Sequence, residues 1–376
     1  MIKSLLVFCA LMAFAGCKGL FEPESARNNS LKSGADSLSH ADSLAAKDSL
    51  SSAKPAILSL CSLSQSALSV SGVGGLENAR LKFMVADSAG VRVSGKFVIQ
   101  FFKNCPDSGG TLLNPYDTAD QGYVECLFKS GTVSGVCAIT AKYVENISQV
   151  IAASQVVRLL VSGGPVFAQN FSLVPERRNV PLSPDERVLL TAFCFDKYGN
   201  PSVPVMVYFS ASSGGVLPGG ISDSTGRVTS FFTVAGNPPD SMKAVISAST
   251  RNGAGDLLLD SDTLLFTGAP EITITHANSP SDTFALARGG SAALHVSVHD
   301  SKGHPLSAGS RIVMSLSGGG TLVGNSDITL PDVLSGYTDF EILVRDDASG
   351  ARYVQFIVNV TGPNGDRKDG LWGKVP

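Results

Sequence analysis

Cysteines, histidines and the aspartates of tight turns are the residues of this sequence with the types to do chemistry. Seven cysteines occur in 376 residues. Five of them, Cys61, Cys105, Cys126, Cys137 and Cys194, follow the first 17 residues, and four of those five lie between 61 and 137. No Cys-x-x-Cys pair is present, so the thiolate set of a structural zinc site is not expected. His295 and His299 lie four apart in an alternating segment, which puts their Cα atoms about 13 Å apart on one face of a strand. One metal ion cannot bridge that distance. Asp87, Asp196 and Asp300 each open a turn with a glycine three residues on, Gly90, Gly199 and Gly303. Calcium takes six or more oxygens, and each turn brings about one carboxylate, so these residues are read as turn stabilisers. No metal and no cofactor is expected. Neither G-x-S-x-G nor H-E-x-x-H occurs, and Gly72-Val73-Gly74-Gly75 lacks the following helix that would cradle a phosphate. The expectation is a chain with no catalytic residues, not an enzyme.

The elements that position these residues are strands. Charged residues are 16%, the net charge is −3, and there are 39 glycines. Val, Ser, Thr and Phe dominate the periodic segments, which argues for an all-β chain. Without Lys/Arg clusters there is no electrostatic footprint for nucleic acid. Around Asp196, Leu190, Ala192 and Cys194 alternate before the turn, and Val203, Val205, Val207 and Phe209 after it. That pattern predicts two strands joined by a tight connection. It recurs as Leu81-x-Phe83-x-Val85 before Asp87 and as Leu294-x-Val296-x-Val298 before Asp300. Later anchors return too: Gly109-Gly110, Gly214-Gly215 and Gly319-Gly320, then Gly122, Gly226 and Gly336. The repeat of roughly 105 residues is the size of one β-sandwich. Boundaries fall at Gly163-Gly164-Pro165 and Gly268-Ala269-Pro270, giving units over 56–162, 163–268 and 269–376.

Residues 1–16 have an early Lys3, an apolar run and small residues, the pattern of an export signal too short for a permanent span. Phe14-Ala15-Gly16-Cys17 resembles the bacterial lipoprotein box, which implies a lipid on Cys17 and a membrane as partner. The alternative is plain cleavage after Ala13-Phe14-Ala15. Lys18 next to Cys17 suggests the outer membrane by resemblance to sorting rules. Residues 17–55 are polar and carry Asp-Ser-Leu at a six-residue step, too little apolar area to fold, so a flexible, disordered tether is expected. These triplets resemble the O-glycosylation sequon of Bacteroidota-type bacteria; a plain solvated linker is the other reading.

Asp196-x-x-Gly199-Asn200-Pro201, the V-x-V-x-F that follows, the Gly-Gly loop and Asp223-Ser224-Thr225-Gly226 resemble bacterial immunoglobulin-like domains of the invasin/intimin type. The likeness covers about 56–376. It implies three tandem immunoglobulin-like β-sandwiches with Greek-key topology, common in surface stalks, and no catalytic residues. In such a fold Cys105 and Cys137 sit at the same end of one sheet. A bridge between them closes a loop of roughly 30 residues, adding about 3 kcal/mol at most. Cys61–Cys126 is the second candidate pair and Cys194 is left unbridged. Cys126–Cys137, or no bridge at all, remain open. The expected function is a lipid-anchored structural or adhesive stalk of the bacterial cell envelope, at the outer membrane or cell surface, with an unknown protein or glycan ligand. A carbohydrate-associated binding module and an accessory subunit of an envelope assembly are the alternatives.

Overall fold

Strict alternation of apolar and polar residues leaves a strand as the conformation that buries one set and hydrates the other. Such strands make up most of the computed structural model, which describes residues 50–376 apart from 147–148, 235–237, 277–278, 281–282, 348–349 and 351. The export signal, Cys17 and the Asp-Ser-Leu repeats lie outside the described residues. The chain divides into two compact units, separated between Ser162 and Gly163.

The first unit contains β1 (Ile57–Leu63), β2 (Ala67–Ser69), β3 (Asn78–Ala86), β4 (Val98–Asn104), β5 (Gly110–Leu112), β6 (Tyr116–Thr118), β7 (Tyr123–Ser130), β8 (Gly135–Asn146), β9 (Gln149–Ala153) and β10 (Val157–Ser162). One sheet runs β1-β3-β7-β5; the other runs β2-β10-β8-β4-β6, with β9 added on β8. Phe83, Phe128, Ile139 and Leu159 are buried between them. Each such side chain contributes about 1.5–3 kcal/mol relative to exposure.

The second unit repeats the plan twice. Its first pair of sheets is built from β11 (Phe171–Pro175), β12 (Asn179–Pro181), β13 (Arg187–Cys194), β14 (Met206–Ala211), β15 (Gly215–Val216), β16 (Gly219–Ile221), β17 (Arg227–Thr233), β18 (Lys243–Arg251) and β19 (Leu257–Thr267). The orders are β11-β13-β17-β15 and β12-β19-β18-β14-β16. Its second pair uses β20 (Glu271–His276), β21 (Ser279–Pro280), β22 (Thr283–Ala285), β23 (Ser291–His299), β24 (Arg311–Ser317), β25 (Thr321–Val323), β26 (Asp327–Thr329), β27 (Asp339–Arg345), β28 (Arg352–Thr361) and β29 (Arg367–Val375). Here the orders are β21-β20-β23-β27-β25 and β22-β29-β28-β24-β26. Separate cores form around Phe232 and Phe266, and around Phe356 and Val358. In all three pairs a short strand lies parallel to the closing one: β2 on β10, β12 on β19 and β22 on β29. Two sheets of this order, antiparallel but for that one short strand, with chain crossings between them, are the immunoglobulin-like sandwich.

Two expectations need correction. The strands flanking each Asp turn are not a hairpin: β13 and β14 belong to opposite sheets, as do β3 and β4, and β23 and β24. Only a single bridge, Phe195 to Pro201, closes the turn before the chain crosses over. The second strand accordingly starts at Met206, and Val203 is exposed, because Pro204 has no amide to give a ladder. The tether also ends earlier than residue 55. Ser51 is already bridged to Val93, donating to the Arg92 carbonyl at 2.6 Å and accepting from the Ser94 amide at 2.7 Å.

Candidate functional site

The cysteines are placed by strand register. β4 runs antiparallel to β8 with Asn104 opposite Ala138, so the next positions outward, Cys105 and Cys137, face each other. They are bridged, with Cα atoms 4.3 Å apart, which suits directly opposed residues on antiparallel strands. The Cys61–Cys126 pairing does not form. Both residues sit in the same sheet, but β3 lies between β1 and β7, and two strand spacings are about 9.5 Å, beyond disulfide reach. Cys126 and Cys194 are buried, unbridged thiols. Burial, with the Asp117 charge adding to it, pushes the Cys126 thiol up to about 12. Burial alone takes Cys194 to about 11. Neither is poised to react at neutral pH.

The turn aspartates share one geometry. Asp196 Oδ1 accepts the amides of Tyr198 (2.8 Å) and Asn200 (2.9 Å), and Asp300 Oδ1 those of Lys302 and His304 (both 2.9 Å). Asp87 Oδ1 does the same with Ala89 and Val91. Gly90, Gly199 and Gly303 have φ of 81°, 82° and 79°, the left-handed conformation that these turns require. The second carboxylate oxygen does a different job. Asp196 Oδ2 accepts from the Gly164 amide at 2.9 Å, and Asp300 Oδ2 from the Gly268 amide at 3.1 Å. Each turn therefore also clasps the chain segment that enters its own sandwich. Both oxygens are spent on the protein, and among the described residues no group of three or more His, Cys, Asp or Glu is arranged to hold a metal ion. His295 and His299 lie on the outward face of β23, half-buried, His295 facing Asp339 at 3.3 Å and His299 Nδ1 lying 2.7 Å from the Asp300 carbonyl oxygen.

Two of these carboxyls lie below their ordinary range. Burial raises Asp300 most, yet it is outweighed by the amides of His304, Gly268 and Lys302 together with the His304 side chain. Asp87 is lowered first by the Ser51 hydroxyl, then by the Val91 amide.

The most developed polar cluster is one that alternation gave no reason to single out. Asn179, at the head of β12, is completely buried. Its Nδ2 donates to the carbonyls of Pro305 (2.8 Å), Val333 (3.1 Å) and Leu306 (3.2 Å). Its Oδ1 accepts from Thr267 at 2.9 Å and from Ser307 at 3.3 Å. Its own amide reaches Asp332 Oδ1 at 2.8 Å, and the preceding Arg178 amide reaches Asp332 Oδ2 at 2.8 Å. From the other side Asn364 Nδ2 donates to the carbonyls of Thr267 and Gly268, both at 3.0 Å, while its Oδ1 accepts the Ser307 amide at 2.8 Å. Leu334 packs on the core that holds Phe232. The connection Thr267-Gly268 between the two sandwiches of the second unit is thus gripped by Asn179, Asn364 and Asp300 together. No single stretch of sequence signals this, because the partners are spread from 179 to 364.

No family model matches the chain, and no curated protein matches it. Solved structures that it resembles include bacterial adhesins and two bacterial alpha-2-macroglobulins. The Escherichia coli adhesin FdeC is 14% identical over 85% of this chain and 96% of its own, with a TM-score of 0.43. Yersinia pseudotuberculosis InvD is 12% identical over 84% and 97%, TM-score 0.40. Invasin, described as a bacterial integrin-binding protein, is 18% identical over 84% of this chain and 60% of its own, TM-score 0.31.

Proposed function

We propose that the chain is a lipid-anchored, non-catalytic protein of the bacterial cell envelope, a structural or adhesive stalk that presents immunoglobulin-like sandwiches to a ligand. The observation that carries this reading is the joint inside residues 163–376. There the buried polar groups bind one sandwich to the next. A fully satisfied buried network holds its members in one relation, and a fixed relation between successive sandwiches is what presentation away from a membrane requires. The anchor is the separable part of the proposal. In detergent phase partition the wild-type chain is expected in the detergent phase of an envelope fraction and Cys17→Ser in the aqueous phase. Identical partition of the two would remove the lipid anchor from the reading.

A further inference from the structure

The outward face of the β22-β29-β28-β24-β26 sheet carries side chains that the core does not use. Trp372 on β29 is 50% exposed and Tyr353 on β28 is 65% exposed. In register, Gln355 stands opposite Trp372 and Lys374 opposite Tyr353. The two rings are therefore diagonal neighbours on one face, about 7–8 Å apart at the backbone. Ser317 continues the Gln355 row on β24. Along β29 the same face presents Lys368, Gly370, Trp372 and Lys374, because Leu371, Gly373 and Val375 point inward. Gly370 contributes no side chain, and Ile357, its register partner on β28, lines the face there together with Gln355, between Lys368 and Trp372, whose Cα atoms are about 13 Å apart.

We propose that this face is a docking platform for an acidic glycan, stacked on Trp372 and Tyr353 with its carboxylates against Lys374 and Lys368. The proposal rests on the presenting role given above and names the class of ligand presented. Aromatic faces carry negative charge density and attract the C–H groups of a sugar ring, which are its positive edge. Gln355 and Ser317 supply the hydrogen-bonding groups that hydroxyls need and an apolar protein partner does not. The charge on the platform selects among sugars. Lys368 and Lys374 flank the rings, whereas Arg311 at the far side of the sheet is already paired with Asp327. A chain of uronic acids offers both the sugar faces that the rings stack on and the carboxylates that the lysines attract.

Trp372 is the chain's single tryptophan, so its emission reports this site and no other. The purified full chain is titrated with hexagalacturonate, with neutral maltohexaose and with polyaspartate; variants are compared by affinity electrophoresis in polygalacturonate gels. The expected result is a saturable emission change with hexagalacturonate alone. Retardation should weaken about tenfold in Trp372→Ala and Tyr353→Ala, and partly recover in Trp372→Phe. Lys374→Gln should weaken it too. All three positions are on the surface, so the variants keep the fold. No saturable change, unaltered retardation in the aromatic variants, or equal response to polyaspartate overturns the platform; equal binding of maltohexaose overturns its selection of acidic sugars. None of these readouts depends on where the protein resides, so they stand apart from the test of the anchor.

Discussion

Replacing Asn179 by alanine should uncouple the two sandwiches of the second unit. The side chain is fully buried and makes five hydrogen bonds, three donated to carbonyls and two accepted from hydroxyls. Thr267 and Ser307 also contact each other at 3.0 Å, so their hydroxyls retain a partner in the variant. The carbonyls of Pro305, Leu306 and Val333 have no other donor among the described residues, and they share the two N–H groups of Asn179, so two hydrogen bonds are lost. Each buried group left unsatisfied costs about 1–3 kcal/mol, so two give roughly 2–6 kcal/mol, with a cavity penalty in addition. Stability should fall by that amount, with the loss falling on the contact between the sandwiches and not on either core. Urea unfolding of the wild type is expected to show the two sandwiches melting together, and Asn179→Ala to split or broaden the transition with a lower apparent m-value. A double-mutant cycle with Asn364→Ala should give a coupling of more than about 0.5 kcal/mol, since both side chains hold Thr267. An Asn179→Ala transition within about 0.5 kcal/mol of wild type and equally sharp would refute the reasoning.

Two further outcomes are expected. Removing the Cys105–Cys137 bridge as Cys137→Ser should cost up to about 3–4 kcal/mol, the loop-entropy ceiling for a sequence separation of 32; non-reducing peptide mapping that finds Cys137 joined to Cys126 would overturn the assignment. Because the Asp300 carboxyl lies lower in the folded chain than its unfolded value of about 3.9, its stabilising contribution is present above pH ~4 and drains away as pH falls through the folded value. Asp300→Asn should therefore flatten the acid limb of stability against pH, and an unchanged limb would contradict the clasp on Gly268.

What could be read from the sequence is what period two controls. Leu190, Ala192 and Cys194 alternate, and they are the buried face of β13. The same holds for Leu294, Val296 and Val298 on β23. Alternation says which face is inward, but it is identical whether the next strand pairs beside the last or crosses to the other sheet. That is why the Asp turns looked like hairpins and proved to be corners. Cys105 and Cys137 needed only one antiparallel neighbour relation to be brought together. Cys61 and Cys126 needed the order of three strands; the strand carrying Leu81, Phe83 and Val85 was visible by its alternation, but its place between the other two was not. Trp372 is the single tryptophan of the sequence, but Tyr353 becomes its neighbour only through the register of β28 with β29.

The joint was illegible for a different physical reason. A buried asparagine in an apolar surrounding looks like a defect, since an unpaired amide costs free energy that a valine would not. At Asn179 that cost is removed by partners up to 154 residues away, none of which stands out alone. An apolar side chain would also have filled this space, but greasy contacts are non-directional and tolerate sliding. Donors and acceptors aimed at Pro305, Val333, Thr267 and Ser307 are satisfied in one arrangement and penalised in its neighbours. The polar choice at Asn179 is therefore what fixes the relation between the sandwiches, and the Asp300 clasp on Gly268 removes the remaining freedom of the connection.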